Sequence, residues 1–382
     1  MHYDVICVGA GVLGTFHAYF AAKKGKRVLL IERDAKPYEG TVRNFGQCVP
    51  SGQEYPRWHE LGNRAMHTYK HIQSLTDISV RKNGSCYIAS DEQEMVLLQE
   101  MVERNLETGY PSQLLSAKET LLKYPSLKSD YVKGSLFFPE EISLEPRLAI
   151  HKIIEFVKEQ ASVEYKNNST VISCARINGK IELQCANKQI YTADIVFICS
   201  GREFKILYPG VFAQSGLRLS KLQMMITQPM PEVKLPGNIL TGLSIRRYEG
   251  FHSLPSYPKL CVLPKNEELE NKFGIHILFK QAVDGSIIIG DSHEYADSSN
   301  TETLDFGIDM YIHELMLREA KNIMNLPNWN IQSVWNGYYS THSEGIYNTE
   351  IEPGIHIVTG IGGKGMSTSA GFAESHINQI FQ

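Results

Sequence analysis

Two glycine-rich runs stand near the ends of the chain, GAGVLG from Gly9 to Gly14 and GIGGKG from Gly360 to Gly365. Between them lie SIRRYEGF with Arg246, Arg247 and Tyr248, and GIHIL with His276 between two isoleucines. WNGYYSTH, nearer the C-terminus, gathers Tyr338, Tyr339 and His342. Glycine runs let a ligand come up to the backbone because no Cβ intervenes, and a helix start beside them offers free N–H groups to an anion. Arginine, histidine and tyrosine donors suit a small charged molecule. The polar-aromatic cluster reads either as the wall of such a site or as the wet end of a strand.

The first run has the surroundings that its chemistry needs. A β-branched stretch, Val5 to Val8, leads into it; a helical segment over about Leu13 to Lys24 follows; then RVLLIERD reads as a buried strand ending at Glu32. Strand, glycine turn, helix and strand make a dinucleotide fingerprint. Gly9 permits the turn, Gly11 lets the backbone approach a pyrophosphate, and Gly14 lets helix and strand pack closely. The N–H groups of the helix start, Val12 and Leu13 onward, face the phosphates. Glu32 sits where a carboxylate takes a ribose 2′-OH, which disfavours NADP.

The middle of the chain departs from a simple run of βα units. Tyr38 to Gly52 is turn-rich. Helical patterns cover about 56–75 and 91–108, and another starts at Glu145; NGSCYIAS and GSLFFPEE read as strands. DIVFICSG resembles a returning parallel strand. From Leu217 to Gly290 the text is β-rich, with KLQMMITQ, GLSIRRYEGF, KLCVLP, GIHILFK and SIIIGD taken as strands of an antiparallel sheet. Leu304 to Met324 reads as one helix. Ile355–Thr359 then runs as a strand into Gly360, Gly362, Gly363 and Gly365, before a last helix whose positive end suits the negative charge of a reduced flavin.

A net charge of −4 gives no polyanion footprint, and no apolar run reaches membrane-spanning length. The N-terminus lacks the charged region and cleavage site of a signal peptide. Seven scattered cysteines without a CxxC pair suit reduced thiols in a cytoplasm and argue against a metal site or a disulfide framework.

GAGVLG with Glu32, SGREF after an apolar strand, and GIGGKGM before the last helix are similar to the FAD-dependent D-amino-acid oxidase/glycine oxidase superfamily. VRNFGQCVPSG, KLQM, RRYEGF, GIHIL, GDSHEY, GYYSTH and GGKGM narrow the resemblance to oxidoreductases associated with bacterial phosphonate catabolism. The resemblance covers essentially the whole chain. It implies an α/β, two-domain architecture: a Rossmann-like FAD-binding domain over 1–80, 145–215 and 335–382, and a discontinuous antiparallel-sheet substrate domain over 81–144 and 216–334. It also implies non-covalent FAD in an extended pose. Gly9, Gly11 and Gly14 would take the pyrophosphate, and Glu32 and Arg33 the adenosine end. Thr41, Arg43, Asn44, Gly46 and Gln47 would lie along the ribityl chain and ring, Val171 at the adenine, and Ser200 and Gly201 near the pyrophosphate. Gly362, Gly363, Lys364, Gly365 and Met366 would meet the flavin pyrimidine edge.

The same resemblance implies transfer of a hydride equivalent from a carbon next to an amine, with O2 or another acceptor reoxidising the flavin. Relatives that act on α-amino acids keep an arginine where this chain has Tyr339, so a simple amino acid would lack its carboxylate clamp. Arg246, Arg247, His276, Lys364 and His342 are the replacement donors, with Arg43 and His252 also within range. The family pattern favours Arg246, and Lys221 is a candidate for polarising oxygen. Asp291 and His293 of GDSHEY are expected to pair at a strand end and support the site from behind. The expected substrate is a small aminophosphonate, 2-aminoethylphosphonate or its N-methyl form. The alternative is a glycine, sarcosine or D-amino-acid oxidase whose carboxylate anchor has moved. A flavin domain acting on RNA is disfavoured by the lack of basic runs, and the oligomeric state is left open.

Overall fold

A computed structural model describes residues 1–382 as a mixed α/β protein built on two large sheets. The first sheet runs in the order Tyr347–Glu352, Ile355–Thr359, Ile190–Ile198, His2–Val8, Val28–Ile31 and Glu164–Lys166. All neighbours in it are parallel except the first pair, and Val171–Ile177 and Lys180–Cys185 extend it as an antiparallel flap on Ile190–Ile198. Val5, Ile6 and Cys7 have no exposed surface, as strands covered on both faces require.

The turn after the first strand depends on its glycines. Gly9 has φ +97°, and a Cβ there would stand 2.4 Å from the Cys199 carbonyl oxygen. A Cβ at Gly14 would lie 2.0 Å from the Gly9 oxygen, so the helix Val12–Lys23 can press against its strand only with glycine there. The closing helix Gly365–Ile380 crosses the helix Arg57–Leu75 just as closely, with a Gly371 Cβ placed 2.0 Å from the Leu61 oxygen. Phe16, Tyr69, Ile153 and Phe372 fill the core beneath these helices.

The second sheet has the order Glu294–Asp297, Arg218–Thr227, Ile287–Gly290, Leu278–Gln281, Asn238–Leu240, Ser85–Ala89, Gly134–Phe138 and Gln113–Ser116. Its pairs are antiparallel except Asn238–Leu240 with Ser85–Ala89. Ile331–Thr341 lies along Arg218–Thr227 for nearly its full length. Residues 335–341, drawn by the sequence reading into the first unit, are therefore hydrogen-bonded into the second sheet. The helix Met310–Ile323 covers this sheet through Ile312, Leu315 and Ile323.

Three expectations for this region fail for local reasons. GLSIRRYEGF is not a strand but two short helices, Gly242–Arg247 and Glu249–His252, which bury Ile245 and Phe251. KLCVLP forms no strand either: Val262 and Leu263 are exposed and find no partner. The helix expected from Leu304 starts only at Met310, because Asp305 has φ +52° and the Asp309 side chain accepts the Tyr311 N–H and caps the start.

Candidate active site

The first sheet ends in a cleft at the carboxyl ends of its parallel strands, where the topology of such sheets places a ligand. Gly9, Gly11, Val12 and Leu13 line it from the first turn, Glu32 and Arg33 from the second strand's end, and Val171, Ser200 and Gly201 from the far side. No side chain caps the Gly11 end of the helix, although Val12 N–H donates to Thr41 Oγ1 at 3.1 Å. Glu32 is buried; its carboxylate accepts the N–H groups of Ala10 at 2.9 Å and Asp34 at 3.1 Å. Arg33 meets Asp34, Glu39 and Glu203, while Arg202 makes two 3.0 Å contacts to Glu39 and lies over the Tyr338 ring. Sequence reasoning missed Glu39 and Arg202; the signal was charge of opposite sign in two turns, SGRE and PYEG, flanking one strand end.

A second lobe continues from the first toward the second sheet, and Asn44, Tyr339, Ile361, Gly362, Gly363 and Met366 line both. Asn44 fastens the turn between them, donating to Thr41 O at 2.7 Å and accepting from Gly46 N–H at 2.7 Å. Gly46 and Gly14 are packing positions behind the cavity: a Gly46 Cβ would strike the Leu144 oxygen at 2.1 Å. Gln47 lines the second lobe, and its Nε2 is buried without an acceptor. That orphan donor, the uncapped helix start and the open glycine cradle at Gly201 and Gly363 fit an extended cofactor bearing phosphates at one end and ring acceptors at the other.

The wall of the second lobe carries Arg247, Tyr248, His276, Asp291, His293 and Tyr295, with Lys364 and His342 opposite. Arg247 Nη2 donates to Tyr295 Oη at 3.0 Å and has no carboxylate within 4.0 Å, whereas Lys364 is paired with Glu249 at 2.8 Å. His276 and His293 stack at 5.4 Å. Burial pushes the His276 pKa down against the pull of Asp291; burial and then Arg247 push His293 down to about 3. Burial raises the Asp291 pKa, but His293, His276 and Arg247 outweigh it, so the carboxylate is held below its ordinary range. At neutral pH this wall is one carboxylate, two neutral imidazoles and one guanidinium. Burial raises the Tyr339 and Tyr248 phenols, which stay protonated.

Several expected residues lie elsewhere. Arg246 lines neither lobe; it is buried against Glu94 at 3.1 Å, Gln93 at 3.0 Å and Asp91 at 3.3 Å. Since the segment is a helix, Arg246 and Arg247 point different ways, and Arg247 is the one at the cavity. Lys221 also lines neither lobe: its Nζ donates to Leu304 O at 2.9 Å, while its neighbours Ser220 and Leu222 face the second lobe. Arg43 turns to the carbonyls of Tyr38 and Asn336. Tyr338 reaches only the first lobe, and Tyr339 donates to Arg43 O at 3.2 Å. His342 is at the second lobe with Nε2 3.1 Å from Ser215 O. Asp291 Oδ1 stands 3.0 Å from His276 Nε2, rather than pairing with His293 as expected, and has no aligned hydrogen bond there.

With the cleft defined, similarity to known proteins is decisive: the model of the DAO family of FAD dependent oxidoreductases matches residues 4–376. The chain belongs to that family. It is 24% identical over 263 residues to the probable oxidoreductase OrdL of Haemophilus influenzae, covering 64% of this chain and 60% of that protein. Glycine oxidase of Bacillus subtilis is 21% identical over 221 residues, or 54% of this chain and 57% of the relative. The chain thus spans about three-fifths of the length of these curated relatives. In fold it is similar to glycine oxidase from Bacillus cereus ATCC 14579, with a TM-score of 0.78 at 18% identity over 99% of this chain and 94% of the other. The two-lobed cavity is the candidate cofactor and substrate site of this family member.

Proposed function

We propose that the enzyme oxidises the C–N bond of a small amine bearing an anionic group, an aminophosphonate such as 2-aminoethylphosphonate or its N-methyl form. One observation carries the reading: Arg247 is the only arginine or lysine of the second lobe without a carboxylate partner, and it stands among further donors. A phosphonate offers three acceptor oxygens and up to two charges, which call for several donors rather than one fork. Relatives named for glycine and sarcosine support an amine as the reacting group.

Bound FAD supplies the two-electron acceptor. The substrate loses a hydride from carbon and a proton from nitrogen, its C–N bond becomes C=N, and water then hydrolyses the imine to an aldehyde and ammonia, or methylamine from the N-methyl form. The chain's part is positional. Arg247 and Tyr295 hold the anion, Tyr248 and Tyr339 exclude water from the reacting carbon, and Gly362 and Gly363 let the cofactor ring approach the backbone. Either O2 or a carrier takes the electrons afterwards. The buried cysteines fit a reducing, cytoplasmic setting, and no helix is long and apolar enough to cross a membrane.

Anaerobic mixing with a substrate panel, read as bleaching of the flavin band, tests this. Reduction by aminophosphonates but not by glycine, sarcosine or D-alanine is expected. The reverse pattern would assign Arg247 to a carboxylate and remove the phosphonate from the account.

A further inference from the structure

His276, Asp291 and His293 form a cluster whose geometry exceeds what holding an anion requires. Their segments are antiparallel neighbours: His276 N–H donates to Asp291 O at 3.1 Å, and Asp291 N–H returns to His276 O at 2.9 Å. One ligand-capable atom from each residue lies within 4.8 Å of the other two. Both rings are fixed through Nδ1, His293 on the Gly274 oxygen at 3.0 Å and His276 on Ser244 Oγ at 3.2 Å. Metal-ligating histidines are held in this way, with Nδ1 engaged by a carbonyl or hydroxyl and Nε2 left its lone pair.

The independent sign is Asp291. His276 Nε2 approaches its Oδ1 to 3.0 Å, yet that oxygen has no hydrogen-bond partner, although the residue is only 7% exposed. A buried carboxylate oxygen left unpaired is costly. A cation among the three groups would remove that cost. All three line the second lobe, so the remaining coordination positions of such a cation would open onto it.

We propose that His276, Asp291 and His293 bind one divalent transition-metal cation at the wall of the second lobe. Two imidazoles and one carboxylate suit zinc, iron(II), cobalt(II) or manganese(II) rather than calcium. Closing the cluster to the ligand spacing around a single ion, about 3–4 Å for bonds near 2 Å, takes a shift of about 1 Å. Arg247 flanks His293 across Gly274 and opposes a cation, so one carboxylate leaves the wall net positive. That surplus faces the position of the substrate anion; this last remark rests on the proposed function, whereas the metal site does not. The cysteine spacing that argued against a metal bears only on sulfur sites, and this cluster unites two segments through a strand pairing.

The test uses untagged holoenzyme, stripped with a chelator and dialysed to equilibrium against micromolar zinc. Retention of about one zinc per chain is expected, with affinity at least about tenfold weaker in His293→Gln and in Asp291→Asn. Flavin content and melting temperature confirm that each variant is folded. Wild-type protein that retains no zinc, or folded variants that retain as much as wild type, overturns the site. X-ray absorption at the zinc edge of the wild type decides without any variant. A shell containing two imidazole nitrogens is expected; sulfur ligation, or oxygen alone, refutes it. No arm depends on turnover, so failure of the aminophosphonate reading leaves the metal result legible.

Discussion

Adjacent arginines, Arg246 and Arg247, are expected to fail in opposite ways when each is replaced by alanine. Arg247 faces the second lobe without a carboxylate partner, so its loss removes a contact to substrate and little from the fold. Hydrogen bonds to a charged group contribute about 1.5–3 kcal/mol each, so losing a two-point contact of about 3–6 kcal/mol lowers kcat/KM by about 150- to 25,000-fold. Most of this should appear in KM, because the anion is held before and during reaction alike. Flavin content should hold, since Arg247 is absent from the first lobe. Arg246 has a side chain 6% exposed against Glu94 at 1%, so its removal strands a buried carboxylate. Breaking such a pair costs about 3–5 kcal/mol, and Lys265 at 3.4 Å from Glu94 keeps this case near 3. With an unfolding entropy of about 2.1 cal/mol/K per residue over 382 residues, that is a fall in Tm of about 4 °C. Steady-state kinetics with both aminophosphonates, beside thermal melts and flavin content, separate the two effects. A raised KM in Arg246→Ala at unchanged Tm, or an unchanged KM in Arg247→Ala, refutes the reasoning.

Gly11→Ala places a Cβ only 3.3 Å from Thr41 Oγ1, so the protein should fold yet lose FAD occupancy, whereas Gly9→Ala, at φ +97° and 2.4 Å from a carbonyl, should not fold. Flavin-to-protein ratio and circular dichroism distinguish the two, and a fully yellow Gly11→Ala protein would count against the cradle. Tyr339→Phe loses one hydrogen bond to Arg43 O, about 1 kcal/mol, and should change kcat/KM by less than about tenfold if the ring acts as a wall; a far larger loss at full flavin content would give the hydroxyl a catalytic task. His17 and His376, 3.0 Å apart in the core beside His356, have pKa values pushed down by burial to about 4 and about 3. The unfolded chain takes up these protons first, so stability is full above about pH 6.5 and falls as pH drops toward 4; His376→Gln should flatten that limb in urea unfolding, and an unchanged slope overturns the assignment.

What the sequence revealed was mainly what the backbone alone decides. The Gly14 contact with the Gly9 oxygen falls within two turns of chain, and Ile355–Thr359 with the helix after Gly365 follows from an apolar run and a glycine stop. The choice between Arg246 and Arg247 was not local. It turned on a helix where the β-rich surroundings suggested a strand, and on Glu94, a buried partner from a distant segment. Glu39 meeting Arg202 and His276 meeting Asp291 likewise join segments that only the sheets bring together. Periodicity cannot report such pairs, because each residue alone reads as an ordinary surface charge or core histidine.

WNGYYSTH shows how one register fixes the chemistry of both lobes. Ile331–Thr341 pairs with Arg218–Thr227 so that Ser220 faces Tyr339 and Lys221 faces Tyr338. Side chains alternate along a strand, and Tyr338 and Ser340 accordingly line the first lobe while Tyr339 and Thr341 reach the second. The strand is the partition between them. On its partner, Ser220 and Leu222 share the second-lobe face, which leaves Lys221 on the other side with Tyr338. Those two bond successive carbonyls, Lys221 to Leu304 and Tyr338 to Asp305, and so tie down the turn before Met310. A slip of one residue would exchange the two sets. The same register therefore turns Lys221 away from both lobes and puts Tyr339, a neutral ring, at their junction.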